Sequence, residues 1–467
     1  MTISNIADAK KDARIDRAAW SWALYEWARN PYVILCTIYV MAPYMTTVVI
    51  GDPVEGQRLL SSWHRNAGLV VMATAPFLGA AADRMGRRKP LLAAITLALV
   101  AFIGLQWFAL PDEAGLPLWA IGAVVTAAGF CFAWTEVLHN SMLSHAAPPK
   151  LLPHVSGLGL ALGNAASVLL LVFVLWAFAL PGQMHWPFLP AQPLFGLDPA
   201  QFEPSRIVGP LCAIWLALFA IPIFLYTPDL NTTGERFGDA VRHGVGNVVR
   251  TVRKLKHFRH VATFLIARMF YFDGKVAILI FGGVYAAGVM QWGMIEMLAF
   301  GIILSIFAVF GGFLAGWLDH RVGAKWSVVI TIVGTFVCLM IMVSMSPDAM
   351  FFVVPVAPGV QVWDGPVFQT APEIAYICAS MLIAITITAA FSSSRTLATQ
   401  LAPEGMQGEI FGLYALAGSA TSWLGPLLVE VFTGAYHSQK AGFASISILL
   451  AIGAALLLTV KSPPKPV

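Results

Sequence analysis

The sequence predicts an all-α membrane protein of about twelve transmembrane helices, arranged as two pseudo-symmetric six-helix halves. Three observations carry this expectation. A chain of 467 residues with 58% hydrophobic and 11% charged residues has far more apolar surface than a soluble domain of its size buries. The apolar residues are gathered into runs of roughly 18 or more, the length needed to cross a hydrocarbon core about 30 Å thick. Finally, Gly79 to Pro90, GAAADRMGRRKP, wedges charge between two such runs, and a weaker copy recurs at Gly312 to Lys325, GFLAGWLDHRVGAK. There Asp319, Arg321, Gly323 and Lys325 repeat the order acid, base, glycine, base. A charged hairpin that recurs once per half marks a duplicated chain.

The first span, near 19–48, follows a polar segment, MTISNIADAKKDARIDR, without an apolar core or cleavage site, so the span is expected to serve as an uncleaved anchor. The second, near 66–83, ends at Asp83. Arg84, Arg87, Arg88 and Lys89 crowd the turn, Gly79 and Gly86 permit close backbone approach, and Pro90 opens the third span, near 90–110. Spans near 117–142, 155–180 and 207–226 complete a first domain, 1–226. Residues 227–260 form a basic linker in which Phe237, Val241, Val245, Val248, Val249 and Val252 interleave with Arg236, Arg242, Arg250, Arg253, Lys254, Lys256 and Arg259. That pattern suits an amphipathic helix on anionic lipid, against the plainer reading of a solvated positive linker. The second domain, 261–467, carries spans near 261–289, 293–317, 326–346, 373–400, 409–433 and 441–461. Pro181 to Pro204 and Pro347 to Pro372 are proline- and aromatic-rich connections expected to lie as lids on the outer surface. With both termini cytoplasmic, about 20 of the 28 lysines and arginines fall inside and about 4 outside.

Composition also excludes. A net charge of +4, placed at membrane edges, argues against nucleic-acid binding. Cys36, Cys131, Cys212, Cys338 and Cys378 all lie in apolar segments without C-x-x-C spacing, so no disulfide framework or metal site is implied. No phosphate-binding glycine loop followed by Lys and Ser or Thr is present, and no large soluble domain, so neither an enzyme nor a cofactor is expected.

The duplication can be read in register. An offset of 255 sets Ala147, Pro148, Gly157, Gly163 and Ser167 on Ala402, Pro403, Gly412, Gly418 and Ser422, and an offset of 246 sets Tyr25, Arg29 and Tyr39 on Tyr271, Lys275 and Tyr285. The hairpin pattern G-x-x-x-D-R-x-G-R-R resembles the loop signature of the major facilitator superfamily, present once per half and degenerate in the second. Within it, WALYEWARNPY is similar to the W-A-x-Y-D-W-A-N-S-x-Y opening of the vacuole-effluxer-like branch. So are YFDGKVAILIFGGVYAAG, SSSRTLATQLAP and FGLYALAGSATSWLGPL. Glu26 stands where that branch has Asp, and Arg29 replaces a small polar residue beside Asn30. The resemblance implies a carrier fold, a central cavity lined by spans 1, 4, 7 and 10, and amino-acid export as the branch's associated activity. Its many bacterial members imply, as an expectation, a place in a bacterial inner membrane.

An ionisable group in the hydrocarbon costs at least about 2.5–3.5 kcal/mol, so each needs a partner or a water-filled cavity. Here Glu26 and Arg29 lie in span 1, Glu136 and His139 in span 4, Arg268, Asp273 and Lys275 in span 7 and Arg395 in span 10. Glu26, nine residues beyond Arg17 at about 1.5 Å per residue, is roughly 13 Å deep, near the midplane where carriers bind substrates. Glu26 and Arg29 share a helix face and can neutralise each other. Asp273 and Lys275 point apart, so Lys275 needs a partner on another helix or a ligand. Glu136, His139 and Asn140 share one face, and Arg395 occupies the slot symmetric to Asn140, which makes a Glu136–Arg395 bridge a candidate for gate or binding site. Substrate and proton binding are therefore expected at Glu26, Arg29, Asn30, Glu136, His139, Asn140, Arg268, Asp273, Lys275 and Arg395, with Asp273 favoured as proton carrier and Arg29 with Lys275 as anion holders. Gating is expected at Gly79, Asp83, Arg84, Gly86, Arg87, Arg88, Asp319, Arg321 and Gly323, with Glu409 as an opposing acid.

These readings predict a monomeric alternating-access carrier for a small anionic or zwitterionic solute, amino-acid-like or carboxylate, with protons as a coupling partner. Alternatives are a uniporter or exchanger, a transporter-like receptor, or a lipid carrier.

Overall fold

Twelve membrane-length helices run back and forth in the computed structural model, which describes residues 15–85, 87–148, 151–229, 246, 253, 258–357, 359–403 and 407–461. The first six are α1 (Arg17–Val49), α2 (Pro53–Met85), α3 (Lys89–Phe108), α4 (Leu118–Ala146), α5 (His154–Ala179) and α6 (Glu203–Tyr226). The second six are α7 (Arg259–Val289), α8 (Met294–Val322), α9 (Ala324–Val343), α10 (Ala371–Leu401), α11 (Ile410–Tyr436) and α12 (Gln439–Leu458). Ten of these are long and apolar enough to span by composition alone; α2 and α7, at 33 and 31 residues, complete the set. An even number of crossings returns the chain to the face where it started. Within the first half α1 lies on α5 and α2 on α4, and within the second α7 lies on α12 and α10 on both α8 and α9.

Helices α1, α2 and α11 depart from the simple apolar rods that hydropathy predicts. The second span was expected near 66–83, yet α2 starts at Pro53. Its polar first third fails a hydropathy test but is satisfied by protein: buried Gln57 donates Nε2 to Thr433 Oγ1 at 2.8 Å, and Ser61 Oγ donates to Gln57 O at 2.6 Å. In α1, Pro31 has no N–H for the carbonyl of Trp27. Trp215 Nε1 of α6 donates to that carbonyl at 2.9 Å, and the backbone continues as a wide π-helical stretch over Tyr32–Tyr39. The eleventh span is broken: helices Gln407–Ser419 and Leu424–Tyr436 are joined by a turn, with Pro426 in the first turn of the second piece, where proline's missing N–H costs least.

The halves meet on one side. Gly68 lets α2 reach the backbone of Ser422 and Trp423, where a Cβ would come within 2.7 Å. Arg65 pairs with Glu430, and Gln57 with Thr433 and the Gln439 carbonyl. Tyr39 of α1 packs edge-on against Phe300 of α8 at 5.7 Å, and His64 of α2 against Phe281 of α7 at 6.1 Å. Gly68 meets Ser422 and Trp423 near the middle of their spans, and the other contacts lie toward the face opposite the termini. Toward the terminus face Glu136, Asn140 and Arg395, set within apolar helices, are exposed. Charged groups within apolar helices face water rather than lipid, so Glu136 and Arg395 mark a solvated cleft toward the terminus face.

Candidate functional site

Four of the predicted residues form one cluster in the first half. Arg29 binds Glu26 through both carboxylate oxygens, Nε to Oε2 at 3.1 Å and Nη2 to Oε1 at 3.0 Å, as their i, i+3 spacing on α1 allows. Its Nη2 is also 3.8 Å from Glu136 Oε2 on α4, and its guanidinium lies 4.6 Å over the Phe132 ring. His139 completes the group, with Nδ1 at 3.2 Å from Glu26 Oε1. Its ring is held tightly: it stacks on Trp22 at 4.2 Å, Nε2 contacts the Trp22 carbonyl at 2.9 Å, and Trp22 Nε1 donates to the His139 carbonyl at 2.8 Å. Tyr25 lies 4.9 Å from the same ring and shares a hydrogen bond with Thr96 of α3. Arg29 is buried and the Glu26 side chain is 17% exposed, whereas the Glu136 side chain is 50% exposed, so Glu136 is the cluster's edge on the cleft.

Glycines bring α5 against this group. A Cβ on Gly159 would stand 3.1 Å from the Trp22 ring, and one on Gly163 3.2 Å from Asn30 Cβ. Asn30 donates Nδ2 to Ser167 Oγ at 3.1 Å, so it serves the α1–α5 contact in this conformation. Asn140 is exposed one residue beyond His139.

In the second half the predicted residues stay apart. Asp273 is buried and accepts a 2.7 Å hydrogen bond from the Gly425 N–H, at the start of the second piece of α11. A carboxylate there takes one of the amides that a helix start leaves free. Lys275 is fully buried; its Nζ has no hydrogen-bond partner among the described residues and rests 3.9 Å over Phe391 and 5.0 Å over Tyr271. Arg268 is buried between the Tyr414 ring at 3.6 Å and the Phe272 ring at 4.4 Å, with Nε and Nη1 unpartnered. Arg395 is exposed, and no bridge joins it to Glu136 in this conformation. The two halves are thus chemically unequal: the first neutralises its cation internally, and the second keeps two buried cations open.

Of the gating residues, Gly86 lies outside the described residues, as do the side chains of Gly79, Asp83, Arg84 and Glu409. Arg87 is exposed, while Arg88 is buried and donates Nη1 to the Ser141 carbonyl at 2.6 Å. The backbone N–H groups of Arg88 and Lys89 reach the two oxygens of Asp229 at 2.9 and 3.2 Å, so Asp229 ties the end of α6 to the start of α3. In the second copy Gly323 has φ +86°, a left-handed position that explains the glycine after α8, and Arg321 lies 5.4 Å over Trp317. Asp319 sits one turn earlier, in the last turn of α8. Most of the linker, 227–260, falls outside the described residues. Sequence reasoning missed Asp229, Trp215 and the Gln57–Thr433 contact. An Arg and a Glu near the far ends of α2 and α11 were a usable signal once the fold pairs those helices.

The comparisons agree with the architecture. A family model described as vacuole effluxer Atg22 like matches residues 145–463. An uncharacterized MFS-type transporter, YxiO of Bacillus subtilis (strain 168), is 22% identical over 446 residues, covering 94% of this chain and 93% of that protein. Among solved structures, a D-xylose-proton symporter superposes with TM-score 0.64 at 12% identity, covering 96% of this chain and 97% of that one. The inward-open xylose transporter XylE from E. coli gives 0.62 at 13% identity, covering 96% of each.

Proposed function

The chain belongs to the vacuole effluxer Atg22-like family and has the major facilitator fold of a membrane transporter, and from that premise we propose that it carries a small anionic or zwitterionic solute by alternating access. In this reading the terminus face is cytoplasmic, the far face is external, the membrane is a bacterial inner membrane, and the conformation described is open inward. The positive-inside distribution of lysine and arginine supports the orientation. The protein acts as a monomer without enzymatic activity, and the basic linker lies on anionic lipid.

The observation that carries the reading is the unpartnered Lys275 ammonium. A buried charge without a counter-ion is costly, and intramembrane ions of this kind mark transport pathways. Lys275 and Arg268 supply the electrostatic capacity for a carboxylate, while half-exposed Glu136 suits an ammonium group on the opposite half. Arg29, already bound through two hydrogen bonds to Glu26, orders that acid rather than the solute. Thermal-shift screening of amino acids, dicarboxylates and organic phosphates on the purified chain identifies the ligand, since binding to the native state raises apparent stability. Radiolabelled flux of that ligand into proteoliposomes then separates a carrier from a receptor. A ligand that binds and is never translocated removes the carrier reading.

A further inference from the structure

The internal repeat sets the charged groups of the first half against their counterparts in the second, residue by residue. The offset of 246 that places Arg29 on Lys275 also places Glu26 on Phe272, and the offset of 255 that places Asn140 on Arg395 places Glu136 on Phe391. Packing follows the same register. Arg29 Nη2 lies 3.8 Å from Glu136 Oε2, and Lys275 Nζ lies 3.9 Å over the Phe391 ring. A Cβ on Gly163 would stand 3.3 Å from the Glu26 carbonyl oxygen, and one on Gly418, its counterpart, 3.2 Å from the Phe272 ring. The second half therefore keeps the cation and carries a phenylalanine at each position where the first half carries a carboxylate.

It also adds a cation. Arg268 stands where the first half has Trp22, buried and with Nε and Nη1 unpartnered. Asp273 is engaged by the Gly425 N–H, and among the described residues no acid pairs with Lys275 or Arg268. Ring faces attract both cations but carry no net charge to cancel theirs. Two positive charges thus stay uncompensated at a depth where net charge is expensive. Their spacing restricts what can compensate them. Lys275 follows Arg268 by seven residues, so the two share a face of α7 with Cα atoms about 10 Å apart. Between them stand the Phe272 ring, 4.4 Å from the Arg268 guanidinium, and the Phe391 ring, set edge-on to Phe272 at 5.5 Å. A single small anionic group cannot serve both cations at once, whereas two such groups on a short apolar spacer can, with the spacer against the rings.

We propose that the second half binds a dicarboxylate, one carboxylate on Lys275, the other on Arg268, and the chain between them on Phe272 and Phe391. Phe391 covers Nζ in the conformation described and turns aside as the ligand enters. This names the solute class of the carrier reading and rests on that reading for its use in transport, but not for binding. An amino group on the same ligand would meet the first half, where two carboxylates share the one guanidinium of Arg29, so dicarboxylates with and without an amino group belong to the class.

Isothermal titration calorimetry on the full-length protein in nanodiscs tests this with straight-chain dicarboxylates from malonate to suberate, with and without an α-amino group, each beside its monoamide. One length should bind best, and its monoamide should bind about tenfold or more weakly, as expected for the loss of one close charge pair. That advantage should vanish in Lys275→Met and in Arg268→Gln. It should vanish also in Phe391→Glu, which removes no cation and gives Lys275 the kind of partner that Arg29 has in Glu136. Equal binding of dicarboxylate and monoamide, no binding anywhere in the series, or an advantage that survives loss of either cation overturns the proposal. Where no variant folds, the wild-type comparison decides alone. A dicarboxylate that binds in this way and is never translocated into proteoliposomes keeps the site and removes the carrier reading, whereas translocation of a solute outside the series, with no binding within it, does the reverse.

Discussion

Replacing Glu430 by alanine should loosen the contact between the halves on the far face. Glu430 pairs with Arg65 across the two halves, with the side chains 16% and 27% exposed, so the pair is neither a free surface bridge nor a fully buried one. Breaking a fully buried pair costs about 3–5 kcal/mol because an orphaned charge stays behind, whereas exposed pairs contribute about 0–1 kcal/mol. Arg65 keeps hydrogen bonds to Asn66 Oδ1 at 3.2 and 3.0 Å and reaches solvent, which places the loss at about 1–2 kcal/mol. If the proposed alternating-access cycle parts the halves on the far face, the pair exists only while that face is closed, and its loss raises the population open on the far face about 5- to 30-fold. Spin labels at Ala114 and Tyr436, exposed on the far rim of opposite halves, report it by double electron–electron resonance. The variant should gain a longer-distance population, and the swapped pair Arg65→Glu with Glu430→Arg should lose it again. An unchanged distance distribution in Glu430→Ala would refute the assignment of this pair to the far-face contact, leaving the Gln57–Thr433 contact and helix packing to hold the face closed.

Lys275→Met removes an unpartnered buried ammonium while keeping its length, so apparent melting temperature should rise by a few degrees, as expected for about 1–4 kcal/mol, while solute binding falls at least tenfold; a variant that binds the identified solute normally would make Lys275 structural. Asp273→Asn keeps an acceptor for the Gly425 N–H and should leave the fold intact; if Asp273 carries the coupling proton, solute accumulation driven by a pH gradient is lost and exchange persists, and accumulation that survives removes it from coupling. Gly163→Leu forces α5 off Asn30, where a Cβ alone would lie at 3.2 Å, and should destabilise the first half by about 1–3 kcal/mol, read as lower thermal stability; unchanged stability would show that α5 is free to shift.

Proline and charge were the most legible signals. Pro31 announces that the Trp27 carbonyl needs a new donor, but nothing local names Trp215, which lies 188 residues on. Gly418 and Pro426 hint at a weak point in the eleventh span, yet the actual break, and the use of its Gly425 amide by Asp273, depend on how α7 and α11 pack. The polar start of α2 defeats hydropathy because its partners, Thr433 and the Gln439 carbonyl, sit in the other half.

The sequence by itself determined the class and the inventory: apolar runs must become helices because lipid offers the backbone no hydrogen bonds, and a duplicated hairpin implies two like halves. It also determined which spans carry charge, since each buried ion is too costly to be incidental. Tertiary structure decided which of those ions are neutralised. Glu26, Arg29, Glu136 and His139 converge because Gly159 and Gly163 let α5 press close on α1 while Trp22 locks α4 beside it. Lys275 and Arg268 are left open because the neighbouring helices present aromatic rings instead of carboxylates. Side-chain spacing along one helix limits which groups can meet, but the partners come from helices more than a hundred residues away, and only packing selects among them.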